Sequence, residues 1–348
     1  MPVIKNIRKS VIALLGMTMF VVSSIPVASP AKAEVELLFN IFVPPKHPFN
    51  TGMFIPWSKD VMRVTEGRVK VKFTTATLAP PPKQWNMITK GIADVAMLAN
   101  TFERNRLTLP PVAQLPFAGT LAESRGIALW RTYDKYLSKA NEYKGIKLLG
   151  LWTTSGNQIF HGNKPIRAVS DLTKEKMWGL AGVNNKYLTS LGAVVVSVPG
   201  VKMFNVVSKG IVNGKVTSPY TMNAFKTMPY IKYVTEVPGG VGSVTFSLLL
   251  NEKKWGKISK KDQELIMSVS GETIARNAGK KVDALDKGAL KAAKEKGISI
   301  EPASQAFIDE LKSKLSYASE DWIKAADKKG VDGKAALKFY MDQIASME

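Results

Sequence analysis

The sequence predicts an α/β protein of two lobes, each a mostly parallel sheet flanked by helices, and three observations carry that prediction. Residues 163–218 alternate short apolar strands with short helices. Residues 34–99 repeat the same β-α-β-α-β order, and consecutive β-α-β units imply parallel pairing. The chain has 348 residues, more than one hydrophobic core usually serves.

Lys5, Arg8 and Lys9 precede an apolar run over residues 11–28, and Ala31-Lys32-Ala33 has the small-x-small spacing of a signal-peptidase site. Residues 1–33 therefore read as a secretory signal peptide cleaved after Ala33. Ser23, Ser24 and Pro26 interrupt the run, and no later apolar segment approaches the roughly 18 residues of a membrane span. Cleavage leaves 315 residues, and with 0 Cys there is no acylation site, disulfide or thiolate metal site.

Residues 34–42 read as the first strand, followed by a loop over 43–48. Phe54, Trp57, Val61 and Val64 put an apolar face on a helix over 51–65, which Gly67 ends. Strict alternation marks 69–73 as a strand, and Pro80, Pro81 and Pro82 keep the next loop irregular. A short helix over 83–90 and a buried strand over 93–99 follow, then an irregular loop over 100–110. Trp130, Tyr133 and Leu137 have core spacing on a helix over 121–143, and a strand over 146–152 leads to the second lobe.

There, strands over 176–180, 193–198 and 211–217 alternate with helices over 184–191 and 201–209, punctuated by Gly182, Pro199 and Gly210. After a short helix over 222–226, strands over 230–237 and 243–251 flank Pro238-Gly239-Gly240, which reads as the crossing back to the first lobe. Ser259, with Asp262 three residues on, caps a helix running to about Lys296. Phe307, Leu311, Leu315, Ala318 and Trp322 share one face of the next helix, and 332–347 is the last. The first lobe is expected to comprise 34–153 plus 238–280, and the second 154–237 plus 281–348.

Lys and Arg number 49 against 28 Asp and Glu, a net charge of +21 that falls to +17 without the four basic residues of the signal peptide. Lysine pairs such as Lys253-Lys254, Lys260-Lys261 and Lys280-Lys281 are spread over predicted exposed helix faces. A nucleic-acid groove would concentrate them among aromatic platforms, so no nucleic-acid partner is expected. The 2 His, His47 and His161, lie far apart without carboxylates at ligand spacing, which argues against a metal site. No Gly-x-Ser-x-Gly elbow occurs, and Gly239-Gly240-Val241-Gly242-Ser243 lacks the Gly-Lys-Ser/Thr ending of a phosphate loop. No catalytic residue, metal or cofactor is therefore assigned, and a non-enzymatic binder is expected.

Pro165-Ile166, Asp171-Leu172, Lys176-Met177-Trp178, Leu191-Gly192-Ala193 and Gly210-Ile211-Val212-Asn213-Gly214 occur in that order. The series resembles the DctP-type solute-binding proteins of tripartite ATP-independent periplasmic (TRAP) transporters. Thr65-Glu66-Gly67-Arg68-Val69, Gly91-Ile92-Ala93-Asp94-Val95, Leu115-Pro116-Phe117 and Trp255 before Lys261-Asp262-Gln263 extend the likeness over nearly all of the mature chain. The resemblance implies a two-lobed periplasmic-binding-protein-like fold, type II-like. It further implies a periplasmic location, a small organic solute, foremost an organic acid, closed in the cleft, and delivery to small and large TRAP-type membrane subunits.

Trp178 stands where the resembled family usually has a carboxylate-binding arginine, and a second family arginine falls near the uncharged Asn157. Two ligand readings follow. An organic acid would be held by Lys46, His47, Gln84, Asn157 or loop amides; a neutral, aromatic or cationic solute would stack on Trp178. Ordinary core packing is the other role open to Trp178. Loops at the carboxyl ends of strands supply further candidates: His47, Gln84, Asn100, Thr101 and Phe102 from the first lobe, Thr217, Ser218 and Tyr220 from the second. The competing class is a secreted hydrolase using His47 or His161 in the same cleft.

Overall fold

Among residues 35–348, which a computed structural model describes, the strands in chain order are β1 (Val35–Asn40), β2 (Val69–Phe73), β3 (Val95–Ala99), β4 (Ile146–Thr153), β5 (Gln158–His161), β6 (Lys176–Trp178), β7 (Val194–Val196), β8 (Gly214–Thr217), β9 (Tyr233–Glu236), β10 (Thr245–Asn251) and β11 (Ser299–Pro302). The signal-peptide reading lies outside the described residues. One sheet has the order β2-β1-β3-β10-β4, the other β11-β9-β5-β8-β6-β7. Alternation explains β2, whose Val69 and Val71 are buried while Lys70 and Lys72 face water and blunt the sheet edge. β3, with neighbours on both sides, is buried throughout.

The sheets repeat one plan. β1 lies between parallel β2 and β3, as β6 lies between parallel β7 and β8. Each sheet then gains a strand that the chain enters directly from the other lobe. β5 follows β4 across a four-residue link and pairs antiparallel with β8 and β9; β10 follows β9 and pairs antiparallel with β3 and β4. The sheets are therefore mixed, because a chain passing straight from one lobe to the other arrives running against the β-α-β strands. The links lie side by side: Thr154 N–H donates to Val244 O at 2.9 Å and Asn157 N–H to Gly242 O at 2.8 Å. A third connection is the helix Glu272–Glu295, which packs Ile274 and Ala278 in the first lobe and Ala289 and Ala293 against Phe160 and Val234 in the second.

Several expected elements differ. The helix expected from Ser259 to about Lys296 is two, Lys260–Ser268 and Glu272–Glu295. Gly271 breaks it at φ 56°, donating its N–H to Leu149 O at 2.7 Å, and a Cβ there would strike the Trp130 ring at 2.8 Å. Ser259 does cap the first of them, accepting from Asp262 N–H at 3.1 Å. The helix over 121–143 keeps α geometry only over Ala122–Thr132 before a wider turn at Tyr133–Leu137. The face of Phe307, Leu311, Leu315, Ala318 and Trp322 is buried as expected, though on two helices, Gln305–Leu315 and Tyr317–Asp327. β5 and β11 were not foreseen, and the strand expected at 193–198 is the short, half-buried edge strand β7.

Asp286, midway along the connecting helix, ties that helix to the β4–β5 link and to the loop after β8. It accepts from Ser155 Oγ on the β4–β5 link, from Ser218 Oγ at 2.9 Å beyond β8, and from Tyr220 N–H at 2.6 Å. Burial pushes its carboxyl up to about 7 despite these three donors. A carboxyl whose folded pKa is raised stabilises the fold fully below the unfolded value near 3.8, and that contribution is lost as pH rises toward 7. Urea titrations from pH 4 to 7.5 should therefore show a fall in stability that Asp286→Asn flattens; an unchanged slope in the variant would assign the fall to other groups.

Candidate functional site

A cavity of about 70 Å³ lies at the carboxyl ends of β1, β3, β6 and β8, where the lobes meet. The chain reaches it from both sides for one reason: in parallel β-α-β units the strand ends open into loops free of the sheet ladder. The loop after β1 brings Phe42, His47 and Phe49, and the turn after β3 brings Phe102. β6 ends in Trp178 and Leu180; β8 leads through Thr217 to Tyr220, Thr221 and Phe225. Thr154 and Val244 of the crossing links, with Phe246 of β10, close the floor.

Aromatic rings dominate the lining. Phe49 meets Phe246 edge-on at 5.4 Å between centroids, and Phe246 stacks on Trp152 at 5.5 Å. Phe49 is also 6.1 Å from Tyr220, and Phe225 is 5.8 Å from His47. Such offset and edge arrangements hold rings in fixed orientations.

His47 is the most telling polar group. Phe49 N–H donates to its Nδ1 at 3.2 Å, so the ring proton sits on Nε2, and that nitrogen is buried without a hydrogen-bond partner among the described residues. Burial lowers the imidazole to about 4, so it is neutral near pH 7 and presents one N–H donor. Its loop is held in turn by Asn50, whose Nδ2 donates to Pro44 O at 2.9 Å. Burial also raises the Tyr220 phenol, with Asp286 adding to the shift, so that side chain stays protonated. No lysine or arginine lines the cavity among the described residues.

The sequence-derived candidates divide. Trp178, His47, Phe102, Thr217 and Tyr220 converge on the cavity. Trp178 is 3% exposed and packs in the core as well as lining the wall; its indole N–H is spent on Val198 O at 3.1 Å, so only ring carbon faces the cavity. Gln84, Asn100, Thr101, Asn157 and Ser218 lie elsewhere. Gln84 accepts from Asn40 Nδ2 at 2.9 Å and donates to Ala79 O at 2.7 Å, tying down the proline loop. Asn100 is consumed by Thr245 and Ser247, and Ser218 by Asp286. Thr101 donates across the lobes to Ala181 O. Asn157 lies on the crossing link, 3.4 Å from Asn184 Oδ1.

Phe42, Phe49, Phe225 and Phe246 were not among the candidates. They come from three separated segments, and only Phe49, two residues from His47, carried a positional hint. His161 is bound up structurally: its Nδ1 accepts from Asn163 and Lys164 N–H, and its Nε2 faces Glu175 at 3.3 Å. Among the described residues no three His, Cys, Asp or Glu side chains gather as a metal site would need, and no helix is long and apolar enough to cross a membrane.

A larger open groove of about 1090 Å³ lies beyond the Thr101–Ala181 contact, lined by Arg104, Asn105, Lys186, Tyr187, Tyr317 and Trp322 among others. It is wide and open, whereas the smaller cavity is narrow and lined mainly by apolar side chains from both lobes.

Known proteins share this architecture and much of the sequence. The family model DctP, bacterial extracellular solute-binding protein, family 7, matches residues 39–324. A protein of Comamonas testosteroni named outer membrane transporter protein TsaT is 34% identical over 330 residues, covering 94% of this chain and 97% of that protein. A TRAP periplasmic solute-binding protein from Bordetella bronchiseptica with bound (R)- and (S)-mandelate superposes with a TM-score of 0.87 at 29% identity, covering 90% of this chain and 99% of that one. A marine-metagenome TRAP solute-binding protein specific for aromatic acid ligands, in complex with 3-hydroxybenzoate, gives 0.83 at 28% identity, covering 91% and 100%.

Proposed function

The chain belongs to the DctP family of bacterial extracellular solute-binding proteins and is a TRAP solute-binding protein, and from that premise we propose that its solute is a small aromatic monocarboxylate held in the cavity between the lobes. The observation that carries this reading is an aromatic box with a buried, unpartnered donor, His47 Nε2–H, among the described residues. Rings supply apolar and edge contacts to an aromatic body, and a buried N–H without an acceptor favours a ligand oxygen. The aromatic acids bound by the two similar solved proteins support the same class.

At about 70 Å³ the cavity is smaller than the roughly 150 Å³ that holds a benzene ring in an engineered protein core. Loading therefore requires the lobes to part and close again, a motion that a ligand touching both lobes favours. The protein would carry its solute unaltered to TRAP-type membrane subunits, without catalysis. Export would remove residues 1–33, so that N-terminal sequencing of the exported protein reads Glu34 first; an uncleaved Met1 would contradict it.

A thermal-shift screen of aromatic carboxylates, their amides, aliphatic diacids and amines tests the class, since a ligand of the folded state raises the melting point. Aromatic carboxylates should give the largest shifts, and hits confined to amines or aliphatic diacids would overturn the proposal. Phe246→Ala should weaken an aromatic acid by about 1.5–3 kcal/mol, roughly ten- to hundredfold in Kd, measured by calorimetric titration below the melting point. An unchanged Kd would remove the box from the binding site.

A further inference from the structure

Lys215 lies on β8, two residues before Thr217 and hence on the same sheet face as that cavity residue. Its side chain is fully buried. Nζ donates to Thr227 Oγ1 at 2.7 Å and Thr221 Oγ1 at 3.0 Å, lies 3.8 Å from Met203 Sδ and sits 5.1 Å from the Phe160 ring centroid. No carboxylate pairs with it among the described residues. A buried cation without an anion is costly, and proteins keep one where another charge completes the arrangement. Two of its contacts, Thr221 and Met203, line the cavity on their other side. One side chain therefore separates an uncompensated ammonium from the space where the solute is proposed to sit.

We propose that Lys215 supplies the positive charge that selects a carboxylate in this cavity, acting through its field from beneath the aromatic box, across the Thr221 side chain, whose hydroxyl accepts from Nζ at 3.0 Å and donates to Ser218 O at 2.8 Å. This rests on the reading of the cavity as an aromatic-acid site. It answers a question posed by the sequence: with Trp178 and Asn157 in place of cations, the cavity wall offers neutral donors only, yet the charge of an acid needs an opposite charge or many donors. Lys215 meets that need without lining the wall, so an uncharged ring-binding surface and a charge preference coexist.

The side chain is also suited to respond to its guest. Burial lowers its pKa to about 7, so the free protein holds it only partly protonated near neutrality. The groups facing Nζ are two hydroxyls, a thioether and an aromatic ring, none of them acidic. An arriving carboxylate stabilises the ammonium, and a proton moves from solvent onto Nζ as the acid binds. Asp286, whose carboxyl also titrates near 7, bonds the Tyr220 N–H and is the other group able to contribute.

Calorimetric titration of the whole mature protein with 3-hydroxybenzoate and with its neutral amide, at pH 6.5 and 8.5 in buffers of different ionisation enthalpy, tests the assignment. Wild type should take up protons on binding the acid and bind it more weakly at the higher pH. Lys215→Met, which leaves Asp286 in place, should lose at least about tenfold in affinity for the acid, lose most of the proton uptake and pH dependence, keeping only what Asp286 supplies, and keep its affinity for the amide. It should melt no lower than wild type, because an apolar chain of similar length replaces a desolvated charge. If Lys215→Met fails to fold, Thr221→Val serves in its place and should weaken the acid more than the amide. Equal acid affinity with unaltered proton uptake in the variant overturns the role of Lys215 while the aromatic-acid reading stands. Failure of wild type to bind any aromatic carboxylate overturns both.

Discussion

Replacing Gly240 by valine should lower the melting temperature by about 6–15 °C, the signature of roughly 3–5 kcal/mol lost from the junction between the lobes. Gly240 has φ 71°, and a Cβ there would fall 2.4 Å from Gly156 Cα and 2.6 Å from Asn157 N. Both obstacles are backbone, so no rotamer relieves them. The same turn is held by Phe117 N–H donating to Gly240 O at 2.9 Å and Gly240 N–H donating to Val237 O at 2.9 Å. The two links therefore touch main chain to main chain, and any side chain forces them apart. Gly210→Val separates the conformational cost from the contact cost, since Gly210 also has positive φ, 64°, with nothing within 4 Å of its Cβ position. That control should cost about 1–2 kcal/mol. Equal losses in the two variants would show that the close approach of the links contributes nothing. Small-angle scattering should also find the Gly240 variant more open than wild type with 3-hydroxybenzoate present.

The second large effect is expected at Arg125, a fully buried cation on the helix Ala122–Thr132. Its guanidinium donates to carbonyls alone: Gly119 O and Ala113 O at 2.6 Å, Gly239 O at 3.2 Å and Leu115 O at 3.4 Å. One side chain thus fastens the loop before the helix to the turn that returns the chain between the lobes. Arg125→Met keeps most of the volume and removes the guanidinium donors, leaving only Ala113 O with another among the described residues, Ser243 Oγ, so chemical denaturation should register a loss of about 3–5 kcal/mol. Arg125→Lys retains charge without the planar fork and should recover only part of it. A methionine variant within 1 kcal/mol of wild type would mean that water satisfies the loop equally well.

Much of this architecture is legible in the sequence where one physical signal dominates. The alternation of Val69 to Phe73 yields β2, and Ser259 with Asp262 marks a helix start that the structure keeps. β5 escaped notice because Gln158-Ile159-Phe160-His161 is buried on both faces despite its polar ends, satisfied by partners distant in sequence. Gly271 was invisible inside an amphipathic run, since a lone glycine is tolerated in helices unless tertiary contacts demand positive φ.

The binding region divides in the same way. His47 and Tyr220 were accessible from their position after strand ends. Gln84, Asn100 and Ser218 satisfied the same rule and turned out to be structural, because the rule places a backbone and does not say what a side chain bonds. Phe42 and Phe49, Phe225 and Phe246 assemble from three remote segments, which no spacing pattern reports. Lys215 looked like one more lysine of a basic chain until its neighbours showed it enclosed.

The central claim is that an aromatic acid binds between the lobes and not in the larger groove beyond Thr101. A crystal structure grown with 3-hydroxybenzoate tests it most directly. The account predicts the ring among Phe49, Tyr220 and Phe246 with a carboxylate oxygen accepting from His47 Nε2–H. Ligand density beside Tyr317 and Trp322 instead, with the cavity unchanged, would contradict it.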